Sequence, residues 1–281
     1  MILVTGATGG VGGEVVRQLL AAGEKVRVLA RDPAKAAKLG PAFVVKGDLL
    51  DADAFAPALA GVAKLFLMAG AQDVPAVAAN AASAAKKAGV RHVVLLSSST
   101  ILMDPPVTIG GWHLQAEQAL EAAGLACTML RPGNFASNAL RWAPTIKAQG
   151  AVFTPGGDGK SAPIDPYDIA SVAAKALLTT GHEGKRYVLT GEEVLTTAEQ
   201  VAVIGAAIGR PLRLVEVPEA GARAGMAKSG MNDVMIAAIL ELMRGGGGGG
   251  EALRTSTVRD VTGVAPRTFA AWVGANLHAF G

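Results

Sequence analysis

The stretch Ile2-Leu3-Val4-Thr5-Gly6-Ala7-Thr8-Gly9-Gly10-Val11-Gly12 decides the fold. Three apolar residues form a short buried strand. Glycines follow at a spacing of three, Gly6, Gly9 and Gly12, and a helix is predicted from about Val11 to Ala22. The first glycine permits a tight turn. The second lets a diphosphate reach the bare backbone, and the third allows the helix to pack close on the strand. Free amides and the dipole at the helix start attract negative charge. A glycine triplet alone is weak evidence. Set after a strand, opening a helix and within a strand-helix-strand unit, it predicts a dinucleotide site made by Gly6, Thr8, Gly9, Gly10, Val11 and Gly12.

The same rhythm continues downstream. Strands are expected at Val26-Leu29, Phe43-Val45, Leu65-Met68, His92-Leu96 and Cys127-Leu130. Between them helices are expected over 34–39, 53–60, 74–88 and 114–123, with Gly23, Gly89 and Gly124 as stops and Asp51 or Asp53 as a cap. Strands that are apolar throughout imply a sheet covered on both faces. Strand, helix, strand at this spacing implies an α/β, doubly wound parallel sheet of Rossmann type. After Pro132 the rhythm breaks, and only Tyr187-Val188-Leu189 returns as a strand. The expected division is a dinucleotide-binding domain over 1–132, with a returning strand near 186–190, and a smaller, mainly helical substrate-side region over 133–281. Residues 133–180 and 191–281 are expected to cap the carboxyl edge of the sheet. Six consecutive glycines, 245–250, read as a joint. It is either a tolerated surface loop or a hinge for a helix over 232–243 acting as a lid.

Composition fits a buried α/β core: of 281 residues, 51% are hydrophobic, 17% charged and 4% aromatic. A core of that size needs no metal or disulfide. One cysteine, Cys127, forbids an intrachain disulfide framework and suits a reducing, cytoplasmic setting. Twenty-six basic against 23 acidic residues give +3, too little for a dedicated polyanion binder, so no nucleic acid is expected as partner. No secretory signal and no membrane span is expected. No His/Cys/Asp spacing for zinc and no hydrolase-type serine elbow is found. The expected partner is a small-molecule substrate, with a homodimer as the assembly considered.

The end of the second strand selects the nucleotide. An acidic residue there would bind ribose hydroxyls and repel a 2′-phosphate. Arg31 stands there instead, and its forked guanidinium suits a phosphate, which points to NADP(H). Asp32 is expected to point elsewhere and cap the next helix. The carboxyl ends of the other strands complete the expected cofactor surface. They are Asp48 and Leu49, then Met68, Ala69 and Gly70, then Ser97, and finally Pro132, Gly133, Asn134 and Phe135. Asp48 either accepts from the adenine amino group or caps a helix. Asn134 either binds the carboxamide or substrate, or is a turn residue.

The runs Leu3-Val4-Thr5-Gly6-Ala7-Thr8-Gly9, Leu29-Ala30-Arg31-Asp32-Pro33 and Gly47-Asp48-Leu49 resemble the NmrA-like branch of the atypical short-chain dehydrogenase/reductases. So do His113-Leu114-Gln115-Ala116-Glu117, Leu130-Arg131-Pro132-Gly133-Asn134-Phe135 and Asp165-Pro166-Tyr167-Asp168-Ile169-Ala170. The resemblance covers about the first 200 residues. It implies either an NADPH-dependent oxidoreductase acting on quinones, dyes or enones, or a non-catalytic NADP(H)-sensing regulator. The wider superfamily uses a strand-five serine and a Tyr-x-x-x-Lys helix. Ser99 matches the serine, but His113 stands where the lysine belongs and Ile109 where the tyrosine belongs. The usual proton donor is therefore missing. The remaining catalytic candidates are His113 and Ser99. His113 either holds the nicotinamide ribose or donates a proton near neutral pH. Ser99 hydrogen-bonds substrate or nicotinamide. Trp112, Trp142 and Phe135 are candidates for an aromatic wall. Asp165 and Asp168 are expected to organise a turn and cap the helix from Ile169. His182 and His278 are expected at the surface, and His92 as structural.

Overall fold

The computed structural model describes residues 1–156, 159–244 and 253–281. The first half alternates β1 (Ile2–Val4), α1 (Gly10–Ala21), β2 (Val26–Ala30), α2 (Pro33–Ala36), β3 (Phe43–Lys46), α3 (Phe55–Leu59), β4 (Lys64–Leu67), α4 (Val74–Ala88), β5 (His92–Leu96), α5 (Thr108–Ala122) and β6 (Cys127–Pro132). The second half contributes α6 (Ala143–Gln149), β7 (Ala151–Thr154), β8 (Lys160–Ser161), α7 (Pro166–Leu178), β9 (Arg186–Leu189), β10 (Leu195–Thr196), α8 (Thr197–Ala207) and β11 (Arg213–Glu216). It closes with α9 (Glu219–Lys228), α10 (Asp233–Arg244), α11 (Thr257–Thr262) and α12 (Phe269–Ala275).

Seven strands form one sheet in the order β3-β2-β1-β4-β5-β6-β9, and every pairing is parallel. The doubly wound sheet expected from the sequence is present, with β9 as the returning strand. The chain winds from β1 outward to β3, then restarts on the other side of β1 at β4. The crevice at that reversal, beyond the carboxyl ends of β1 and β4, is where such sheets bind ligands.

Two apolar layers cover the sheet. One packs α1 and α7 against Val4, Val28, Phe66, Val94 and Leu130. The other packs α3, α4 and α5 against Leu3, Leu65, Leu67, Val93 and Leu95. Alternate strand residues thus face opposite layers, as the pleat requires. A third, smaller core joins Ala136, Ile146, Val152, Ile204, Phe269, Trp272 and Phe280. In it Phe269 stacks on Trp272 with centroids 5.7 Å apart. No helix among the described residues is long and apolar enough to cross a membrane.

Three expectations are corrected. α5 begins at Thr108, not near Leu114. Its first amide is capped from a distance, since Thr108 N donates to Glu241 Oε2 of α10 (2.9 Å). Gly110 lets α5 approach the chain closely, because a Cβ there would lie 2.5 Å from the Thr100 carbonyl oxygen. Residues 133–180 do not all cap the sheet edge, because α7 packs beside α1 on the sheet face. The second half also holds short strands: β11 pairs with β7 in parallel and β10 with β8 antiparallel. The glycine run 245–250 lies outside the described residues. The helix before it, α10, is present.

Candidate functional site

The glycine loop leaves β1 with Gly6 at φ +63°, a left-handed conformation. The Gly6 carbonyl accepts from Gly9 N at 3.0 Å, closing the turn. A Cβ on Gly12 would sit 2.3 Å from that same oxygen, so only glycine lets α1 start this close to β1. Gly9 is the N-cap and makes no side-chain cap bond, and no acidic residue lies in the first turn of α1. The helix start therefore offers its amides and dipole with no anion of its own first turn to satisfy them. Thr8, Gly9 and Gly10 are exposed, while Val11 is buried in the core and presents only its backbone. Pro166, at the start of α7, borders Gly10.

Thr5 holds the loop against the neighbouring strand. Its hydroxyl donates to the Met68 carbonyl and accepts from Met68 N, both at 2.8 Å. Met68 in turn lies against Gly6. The exit of β4, Met68-Ala69-Gly70, is thus clamped beside the glycine loop at the topological switch. Thr5 was missed in the sequence. Its only signal there is a polar residue directly after a buried strand.

Arg31 directly follows β2 as an exposed side chain with no partner among the described residues. Asp32 turns away, as expected, and its carboxylate caps α2 by accepting from Ala34 N and Lys35 N. The Asp32 carboxylate is therefore committed to α2. Asp48 is exposed and its Oδ1 accepts from Leu50 N at 3.0 Å, so one oxygen is committed to the local turn. Leu49 is partly buried against the α3–α5 layer.

On the other side of the switch, Ser99 and His113 are both buried, at 3% and 8% exposure. Ser99 Oγ lies beside Gly133, whose amide donates to the Leu189 carbonyl (2.9 Å). His113 Nδ1 is buried with no hydrogen-bond partner among the described residues. Leaving such an atom unpaired is costly unless a ligand satisfies it. Burial pushes the His113 imidazole down to about 4, against a smaller opposite pull from Glu117. The ring is neutral around pH 7, so it is not the charged proton donor considered from the sequence. It remains a hydrogen-bonding group.

The structure reassigns several side chains. Ser97 does not present its hydroxyl to the crevice but donates it to Glu117 Oε1 at 2.6 Å. The Asn134 amide is engaged at both ends, donating to Ser161 Oγ (3.1 Å) and accepting from Asn138 Nδ2 (2.7 Å). It ties the β6 exit to β8 rather than facing a ligand. Pro132 is buried at the end of β6. Phe135, Trp112 and Trp142 pack in three different apolar clusters and do not form one wall. Asp165 caps α7 through Tyr167 N (2.8 Å). Asp168 instead accepts from the backbone amide of Arg267 (2.8 Å). The Arg267 guanidinium lies 3.5 Å over the Tyr167 ring. His182 is half-buried and bonded to Thr179 Oγ1 and Tyr187 OH, not isolated at the surface. His92 is structural as expected, joined to Thr128.

A glycine cradle that a Cβ would fill, an uncapped helix start and an orphaned buried imidazole nitrogen fit a dinucleotide lying across the crevice. Against known proteins, the NAD(P)H-binding family matches residues 6–180. The chain belongs to that family. It is 39% identical, over all of its length and 99% of the relative's, to an NAD(P)H azoreductase of Xenophilus azovorans. It is 40% identical over the same shares to the (4-alkanoyl-5-oxo-2,5-dihydrofuran-3-yl)methyl phosphate reductase of Streptomyces griseus. The solved structure of the NADPH-dependent quinone oxidoreductase QOR2 from Escherichia coli, complexed with NADPH, superposes with a TM-score of 0.85. That match covers 99% of this chain and 100% of that one at 29% identity. This NAD(P)H-binding protein thus agrees with the NmrA-like resemblance seen in its motifs.

Proposed function

We propose that the protein is an NADPH-dependent reductase of conjugated small molecules of quinone, dye or enone type. The observation that carries this reading is the cradle at Gly6, Gly9 and Gly12 opening onto the β1/β4 crevice, with Arg31 at one end and the orphaned His113 at the other. Full-length relatives named as reductases favour an enzyme over a non-catalytic sensor.

In this reading the amides of Thr8, Gly9, Gly10, Val11 and Gly12 bind the diphosphate. Arg31 takes the 2′-phosphate, and the second oxygen of Asp48, with Leu49, meets the adenine. Met68, Ala69 and Gly70 line the middle of the crevice. Ser99, Gly133 and the neutral His113 ring hold the nicotinamide end. Residues 1–132, completed by β9, carry the dinucleotide, and much of 133–281 shapes the acceptor side. When bound, the reduced nicotinamide supplies a hydride to the acceptor. The protein's part is to orient both partners and exclude water. Hydride addition to a quinone yields a delocalised hydroquinone anion, which collects its proton from water, so the missing Tyr-x-x-x-Lys pair is not needed. A cytoplasmic location suits a reductant-dependent enzyme whose single cysteine, Cys127, is buried. A homodimer is the proposed assembly.

The test is NADPH consumption with a naphthoquinone, an azo dye and, as control, a saturated aldehyde. Oxidation with the first two and not the third is expected. No oxidation above background with any acceptor, despite NADPH binding, would leave the sensor reading. Replacement of Ser99 by alanine is expected to slow quinone reduction by about two- to tenfold, the worth of one neutral hydrogen bond.

A further inference from the structure

Glu117 is almost wholly buried, with 2% of its side chain exposed. Arg131 meets it with two bonds, Nε to Oε1 at 2.9 Å and Nη2 to Oε2 at 2.6 Å. Ser97 Oγ adds a third at 2.6 Å, and Arg186 Nε lies 4.0 Å from Oε2. Each of the three bonded residues lies in, or directly follows, an element that delivers part of the nicotinamide end. β5 runs through Leu96, and Ser97 precedes Ser99 by two residues. In β6, Arg131 precedes Gly133 by two. In α5, Glu117 follows His113 by four residues, which puts both on the same buried face of the helix. The start of α5 has no slack, since Gly110 is pressed against the Thr100 carbonyl in the turn that begins at Ser99.

Net stability is a poor reason for such a pair. Desolvating two charges offsets most of their attraction, and an apolar pair of similar volume is often as stable. What the forked guanidinium supplies, and an apolar pair does not, is a fixed geometry. We propose that Glu117 is a positioning residue for the nicotinamide half of the site, its carboxylate joining α5, β5 and β6 so that His113, Ser99 and Gly133 stand in register. The inference rests on the cofactor reading given above. It assigns Glu117, Arg131 and Ser97 a role that touches neither cofactor nor substrate. The adenosine half, held by the glycine loop and Arg31, is independent of the joint.

The variants Glu117→Gln, Arg131→Met, the double variant E117Q/R131M and Ser97→Ala test it. Thermal midpoint and calorimetric affinities for NADPH and for adenosine bisphosphate, which carries only the adenosine half, are measured for each. The single pair variants are expected to lose stability, because each leaves a buried charge or its partner alone. The double variant regains stability. In it, adenosine bisphosphate binds within about twofold of wild type, NADPH binds about tenfold more weakly, and quinone-dependent kcat falls by about tenfold to a hundredfold, the scale of a misplaced reacting group. Ser97→Ala, which keeps the ion pair, shows the same split at about two- to threefold. A double variant that is stable and matches wild type in NADPH affinity and kcat would overturn the proposal. So would equal weakening of both ligands in Ser97→Ala, which also decides the matter if the double variant does not regain stability. Wild-type protein that binds NADPH but reduces nothing would remove the reductase reading alone, and the ratio of the two affinities would still judge the joint.

Discussion

At the scale of single residues, the site depends on what is absent from the glycines. Gly12 leaves room that a methyl group would take from the Gly6 carbonyl at 2.3 Å. Gly12→Ala must move backbone, not a flexible side chain. It is expected to weaken NADPH binding by at least about tenfold and to lower stability by about 1–3 kcal/mol, read by calorimetry and urea unfolding. The glycines were legible because a three-residue spacing between strand and helix has one geometric meaning. Asp32 was legible for a similar reason, since a strand end followed by Pro33 leaves the aspartate to cap a helix. Ser97 and Asn134 were not. Their place in the chain suggests a ligand, but their hydrogen bonds go to Glu117 and to Ser161 and Asn138. Such partners, 20 and 27 residues away for Glu117 and Ser161, depend on folded packing that spacing does not encode.

At the scale of elements, strands buried on both faces announced themselves as unbroken apolar runs, and β5 and α4 fall where their composition puts them. The true start of α5 did not, because Gly110 serves a close crossing and its cap comes from α10. The two-residue strands β8 and β10 owe their form to pairing with each other rather than to any local pattern. α7 illustrates a local signal with a distant consequence. Asp165 caps it and also faces Arg267 Nη1 at 3.6 Å, fastening the C-terminal segment to the helix that borders the glycine loop. Asp165→Ala is expected to cost about 1 kcal/mol through the lost cap. Asp165→Asn, which keeps an acceptor, should cost less than half as much in urea unfolding.

For the whole molecule, two buried titrating groups pull stability in opposite directions with pH. His113 titrates near 4 when folded against an ordinary 6.5, because burial disfavours its charge. The unfolded chain binds that proton first, so this contribution is full above pH 6.5 and is lost as pH falls toward 4. Asp168 is raised by burial to about 6 from 3.8, so the folded chain binds that proton first, and acidification through this window favours folding. Removing one group should expose the other. The stability difference between wild type and His113→Gln is expected to shift against wild type by about 1–3 kcal/mol between pH 7 and pH 4.5. For Asp168→Asn the shift should have the opposite sign. Urea unfolding at the two pH values checks both, and equal pH slopes for all three proteins would contradict the assignment.

The proposed site sets the cofactor's diphosphate at the switch between β1 and β4, with the Arg31 guanidinium just beyond β2. Calorimetric titration of NADPH and NADH into wild type and Arg31→Ala tests this most directly. Wild type is expected to bind NADPH about ten- to a hundredfold more tightly than NADH, the worth of charged hydrogen bonds to one phosphate. Arg31→Ala should lose most of that preference while keeping its affinity for NADH. No heat with either nucleotide, or a preference untouched by the substitution, would contradict it.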